Sequence, residues 1–67
     1  MRIWLSNIRQ QQEKTHEDVA TGCNITRQFY SMIENGERTP SVSTAKKIAS
    51  VLDFDWTRFY EEETINQ

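Results

Sequence analysis

The 67-residue chain has one cysteine, one proline, two glycines and one histidine. Each shortage excludes something. A single thiol, Cys23, cannot close an internal disulfide, which favours a reducing, cytoplasmic setting. One proline and two glycines leave little room for a flexible linker, and with no repeat or low-complexity tract the chain reads as a single domain. Mean hydropathy is −0.78, and no apolar run approaches the roughly 20 residues that span a membrane. The stretch MRIWLSNIRQ lacks the continuous apolar segment and small-residue cleavage site of a signal peptide. A chain of this size buries only about 60% of its unfolded surface, so a deep substrate cleft is not expected. One histidine and one cysteine do not form the converging set that a metal requires, so neither a metal nor a cofactor is expected. No nucleophile–base pair, glycine-rich phosphate loop or converging carboxylates suggest an enzyme.

What the chain does have is helical periodicity. Ile3, Trp4, Leu5 and Ile8 recur at helical spacing, predicting a first helix over Arg2–Glu13. Thr15, with Asp18 three residues later, is a short capping box opening a second helix, with Val19 and Ala20 on its buried side. That helix stops at Gly22-Cys23-Asn24, because asparagine, like glycine, tolerates a left-handed turn. Pro40 pushes Thr39 out of the helical region, so Glu37–Pro40 is a loop. Ser41 or Ser43 then caps a fourth helix, with Val42, Ala45, Ile48, Ala49, Val51 and Leu52 inward and Lys46-Lys47 outward. Phe54-Asp55-Trp56 opens a short fifth helix, with Asp55 as its cap and Phe54 and Phe59 as a hydrophobic staple. No segment alternates with a period of two. The expected fold is an all-α, five-helix bundle over residues 1–60, followed by an acidic tail, 61–67, that frays.

The stretch GCNITRQFYSMIENG, Gly22 to Gly36, organises the rest. Thr26 is a good N-cap, flanked by Ile25 and Tyr30 at the positions of a second staple. Tyr30 and Ile33 share one face, while Arg27, Gln28, Ser31 and Met32 fall on the other. Asn35-Gly36 supplies a left-handed stop. A short helix with an apolar back and Arg-Gln in its first turn suits entry into a DNA major groove N-terminus first.

Charge bears on that reading. The net charge is −2 and the pI ≈ 5.2, whereas nucleic-acid binders often carry a basic footprint. Residues 1–23 balance three bases against three acids. Residues 24–47 set four bases against Glu34 and Glu37, giving +2, and residues 48–67 set Arg58 against five acids, giving −4. The acid lies in the tail, away from the candidate helix, and phosphate contact is local.

The segment HEDVATGCNITRQFYSMIENGERTPSV resembles the Cro/phage-repressor, or XRE, type of helix-turn-helix. Ala20 stands where two helices approach closely, and Val19, Ile25, Tyr30 and Ile33 stand where they meet the bundle. Ile33-Glu34-Asn35-Gly36 followed by Pro40-Ser41 is the most specific match. Leu5, Ile8 and Arg9 match the first helix, and Lys46-Lys47-Ile48-Ala49 with Val51-Leu52 the fourth, so the likeness runs from about Ile3 to Tyr60. It implies a lambda-repressor-like domain binding double-stranded DNA. Arg27 and Gln28 stand where such proteins read base edges; arginine suits guanine and glutamine adenine. Met32, at another base-reading position, suits a thymine methyl. Thr15, His16, Thr26, Asn35 and Arg38 match phosphate-contacting positions. Arg9 and Glu34 resemble a structural ion pair between the first and recognition helices. The chain departs from the pattern at His16, where glutamine is usual and where a phosphate contact would become pH-dependent. It also departs at Asn24, usually glycine, and at Lys14, often apolar.

Other residues admit plainer readings. Cys23 suits a buried, inert thiol, Lys46-Lys47 a solvated helix face, and Phe29 either packing or DNA contact. Trp4, Trp56, Phe59 and Tyr60 either complete the core or, at Trp56, Phe59 and Tyr60, form an apolar patch that pairs two copies. A homodimer would place two recognition helices about 34 Å apart on a palindrome. The function expected is a repressor-type transcriptional regulator. The alternative is a protein-interaction module, of antitoxin or anti-repressor kind, using the acidic aromatic C-terminus.

Overall fold

In a computed structural model, residues 1–65 are described, with side chains as far as Glu61. Five helices follow in order: α1 (Ile3–Gln11), α2 (His16–Cys23), α3 (Arg27–Asn35), α4 (Val42–Leu52) and α5 (Arg58–Ile65). Among the described residues there is no strand.

Local chemistry sets most of these boundaries. The capping box of α2 is complete: Asp18 N–H donates to the Thr15 hydroxyl at 3.0 Å, and Thr15 N–H donates to the Asp18 carboxylate at 2.9 Å. Thr26 caps α3 by accepting from Phe29 N–H at 3.0 Å. Of the two serines before α4, Ser41 is the cap, accepting from Thr44 N–H. Asn24 ends α2 at φ 58° and Gly36 ends α3 at φ 85°. A side chain costs about 1–2 kcal/mol in the left-handed region, and a Cβ on Gly36 would also lie 3.3 Å from the Met1 backbone nitrogen. Gly36→Ala is therefore expected to lower stability by about 1–2 kcal/mol in chemical denaturation, while Asn24→Gly stays within about 0.5 kcal/mol of the parent.

The core is continuous. Leu5, Val19, Ala20, Cys23, Tyr30, Ile33, Ala45, Ile48, Leu52 and Phe59 form one buried cluster. Helix α2 is the hub, packing on both α3 and α4, while α1 lies against α3. Close approach of α2 to α4 depends on Gly22, where a Cβ would meet the Val51 side chain at 3.0 Å.

The structure corrects several expectations. Val42, expected inward, is 48% exposed, and Ile3, part of the apolar pattern of the first helix, is 64% exposed. Both occupy the first position of a helix, beyond the reach of the core. Helix α5 begins at Arg58, not beside Phe54. Asp55 instead caps the preceding turn, accepting from both the N–H and hydroxyl of Thr57. The Phe54 and Phe59 rings do meet, with centroids 5.7 Å apart. Helix α5 runs from Arg58 to Ile65, and residues 66 and 67 of the acidic tail lie outside the described residues. Phe59 is fully buried against Trp4 and Phe54, with centroid distances of 5.2 and 5.7 Å. It is a core residue and has no surface to offer a second copy.

Candidate nucleic-acid interface

The outward face of α3 follows from its pattern. Tyr30, Ile33 and Glu34 are buried, Ser31 and Met32 are half-buried, and Arg27, Gln28 and Asn35 are exposed. Arg27 and Gln28 occupy the first turn, free to reach outward, while Thr26 spends its hydroxyl on the helix cap. Met32 lies one turn further along the same side. Asn35 sits at the far end, about 14 Å along the axis from Thr26 at 1.5 Å per residue, and Arg38 lies in the loop beyond it. Asn35 Nδ2 reaches the Glu37 carboxylate at 3.5 Å. Arg38 is exposed, and its carbonyl accepts from the Arg2 guanidinium at 3.0 Å.

Thr15, His16 and Arg27 are brought together at the other end of α3. An open groove of ≈ 670 Å³ lies among the end of α1, the start of α2 and the start of α3, and these three residues line it with Arg9 and Lys14. Thr15 contributes through the helix N-terminus that it caps, because its hydroxyl is engaged by Asp18. Helix N-termini carry partial positive charge and unpaired amides, which favour anions.

Beneath the groove sits a charge cluster. Arg9 grips Glu34 with two parallel bonds, Nε to Oε2 at 2.9 Å and Nη2 to Oε1 at 3.1 Å. Its remaining arm donates to the Lys14 carbonyl at 2.8 Å. One guanidinium thus joins α1, the following turn and α3. His16 Nε2 lies 3.2 Å from Glu34 Oε1, and its ring stands edge-on to Tyr30 at 5.6 Å. Burial alone would raise the Glu34 carboxyl; the Arg9 guanidinium, with Tyr30 and His16 beside it, outweighs that and holds it below the usual carboxylate range. Burial and the adjacent Glu34 carboxylate push the Tyr30 phenol far above its ordinary value. The Tyr30 hydroxyl is buried beside this cluster without a well-formed hydrogen bond. His16, expected only as a phosphate contact, is therefore also part of the support beneath the recognition helix.

Sequence reasoning missed Arg2. Its side chain is tucked under the C-terminal end of α3, donating to the carbonyls of Ile33 and Arg38, and its backbone N–H donates to the Glu34 carbonyl at 2.8 Å. The guanidinium also lies 5.6 Å from the Phe59 ring centroid. No local pattern announces this, since the partner carbonyls are 31 and 36 residues away. Near α5, Tyr60 donates to the Pro40 carbonyl at 2.8 Å, and Lys46 lies 5.2 Å over the Trp56 ring. Trp56 and Tyr60 remain partly exposed. Cys23 is buried, and burial pushes its thiol up. Phe29 is half-buried against the core. Among the described residues, no helix is long and apolar enough to cross a membrane and no cluster of His, Cys, Asp or Glu could hold a metal.

Two capped helices, α2 and α3, joined by a left-handed turn at Asn24 and packed on a small bundle, define a helix-turn-helix domain. The helix-turn-helix family model matches residues 5–59, and the chain belongs to that family. It is also similar to the uncharacterized HTH-type transcriptional regulator YqaF of Bacillus subtilis (strain 168), with 50% identity over 62 residues, covering 92% of this chain and 82% of the relative. No solved structure matches the chain.

Proposed function

We propose that this chain is a cytoplasmic, sequence-specific DNA-binding transcriptional regulator acting as a repressor. The observation that carries this reading is the exposed Arg27-Gln28 pair in the first turn of α3, inside a matched helix-turn-helix domain. The relative's name as a transcriptional regulator supports it. In this account α3 enters the major groove N-terminus first. Arg27 takes guanine O6 and N7, Gln28 takes adenine N6 and N7, and Met32 packs on a thymine methyl. Thr15, His16 and Thr26 at two helix N-termini, with Asn35 and Arg38 beyond the helix, hold phosphates and set the register. Two copies pair through the α5 end, using Trp56 and Tyr60 but not Phe59, and read a palindrome.

Arg27→Ala is expected to cost about 1–3 kcal/mol of operator affinity and to relax specificity at one base position. Binding to a library of single-base operator variants checks this. Equal weakening on every variant would assign Arg27 to phosphate instead.

A further inference from the structure

The proposed phosphate contact at α2 carries a protonation device. The Glu34 carboxylate is ionised, held by Arg9 through two bonds, and an ionised carboxylate only accepts hydrogen bonds. His16 Nε2, at 3.2 Å from Oε1, must therefore carry the proton of the neutral ring. That leaves Nδ1 as a bare acceptor. Nδ1 has no hydrogen-bond partner among the described residues, and the side chain is 34% exposed. A neutral His16 thus presents a lone pair toward a surface that has to meet phosphate oxygens, which are themselves acceptors. A protonated His16 keeps its bond to Glu34 and gains Nδ1–H as a second, charged donor.

We infer that binding to a DNA phosphate takes up a proton at His16, so that DNA affinity rises as pH falls. The inference rests on reading the start of α2 as a phosphate-facing surface. Glu34 faces the ring from α3, and Tyr30 from the same helix covers its edge. Arg9 of α1, Glu13 and Lys14 of the turn, Glu17 of α2 and Arg27 of α3 are the other charged groups lining the groove. A bound phosphate adds negative charge on the solvent side and tips the balance toward imidazolium. Imidazole is the side chain whose charge ordinarily changes between pH 5 and 8, which sets the pH range of the test. Glutamine at this position, an uncharged donor, would bind phosphate with no such linkage.

The test is fluorescence anisotropy of a labelled 24-base-pair duplex of the DNA upstream of this chain's own gene, from pH 8 to pH 5.5 at constant ionic strength, for the parent and His16→Gln. Alongside it, the His16 ring is followed by NMR through the same range with and without DNA. The inference expects parent affinity to rise as pH falls, with tenfold per pH unit, the uptake of one whole proton, as the ceiling. The His16→Gln variant should show a flat profile, and the His16 titration midpoint should move upward on binding DNA. Equal pH profiles for parent and His16→Gln, or an unmoved midpoint in the complex, would overturn the inference while leaving the DNA-binding reading intact. Absence of binding by the parent at every pH would overturn both. The NMR shift guards against a His16→Gln protein that has lost its fold, because it is read on the parent alone.

Discussion

Replacing Glu34 by alanine is expected to cost about 3–5 kcal/mol of folding stability, the range for removing one partner of a buried ion pair. Glu34 is 2% exposed, and Arg9 would lose both of its parallel bonds. For a chain of this length the total stability is about 3–10 kcal/mol, so the loss takes from about a third to all of it. The loss arises mainly from stranding a guanidinium that is itself only 12% exposed. A pH dependence follows from the same group. The folded-state carboxyl lies below its ordinary value, so its stabilisation is present above the unfolded carboxyl range and is lost as pH falls through the folded one. The parent should accordingly unfold at lower urea concentration as pH falls below the ordinary carboxylate range. Glu34→Gln should flatten that part of the profile while lowering the plateau. A plateau unchanged by Glu34→Ala would show that the cluster does not hold α3 to α1.

Phe59→Ala is expected to cost a similar amount, about 3–5 kcal/mol. The ring is fully buried, touches Trp4 and Phe54, and lies beneath the Arg2 guanidinium. The reason is a cavity, because a large aromatic leaves space that a five-helix bundle cannot close. Thermal unfolding checks this, and a second variant separates the alternatives. Trp56→Ala, at a half-buried position, should change stability far less while lowering the mass seen by sedimentation if the α5 end pairs two copies. A Phe59→Ala protein that keeps its melting temperature but loses a dimer would reverse the assignment of these residues.

How far the sequence reveals this molecule depends on the range of the interaction concerned. The caps at Thr15 and Thr26 and the stops at Asn24 and Gly36 are local, each satisfied within a few residues, and they could be read directly, while the cap of α4 could be narrowed only to Ser41 or Ser43. The inward face of α3 was legible for the same reason, since Tyr30 and Ile33 repeat at helical spacing. Ile3 and Val42 were not, because periodicity gives the direction of a residue but not whether anything packs over the first turn there. Arg2 was invisible because its partners are carbonyls that arrive only when the chain is folded. For Phe59 the sequence supports both a staple with Phe54 and a place in an outer patch. Its ring cannot serve both, and only tertiary packing decides between them. At the candidate interface, the residue types and their order on α2 and α3 were legible. The engagement of His16 with Glu34 was not, since it joins two helices across a turn whose geometry the sequence does not state.

The central claim is that α3 reads DNA sequence. Fluorescence anisotropy against the DNA upstream of this chain's own gene and against a scrambled duplex, at several salt concentrations, tests it most directly. The account predicts a preference of about a thousandfold or more for the upstream DNA, with affinity falling linearly on a log–log plot against salt. Equal and weak binding to both duplexes at every salt concentration would contradict it.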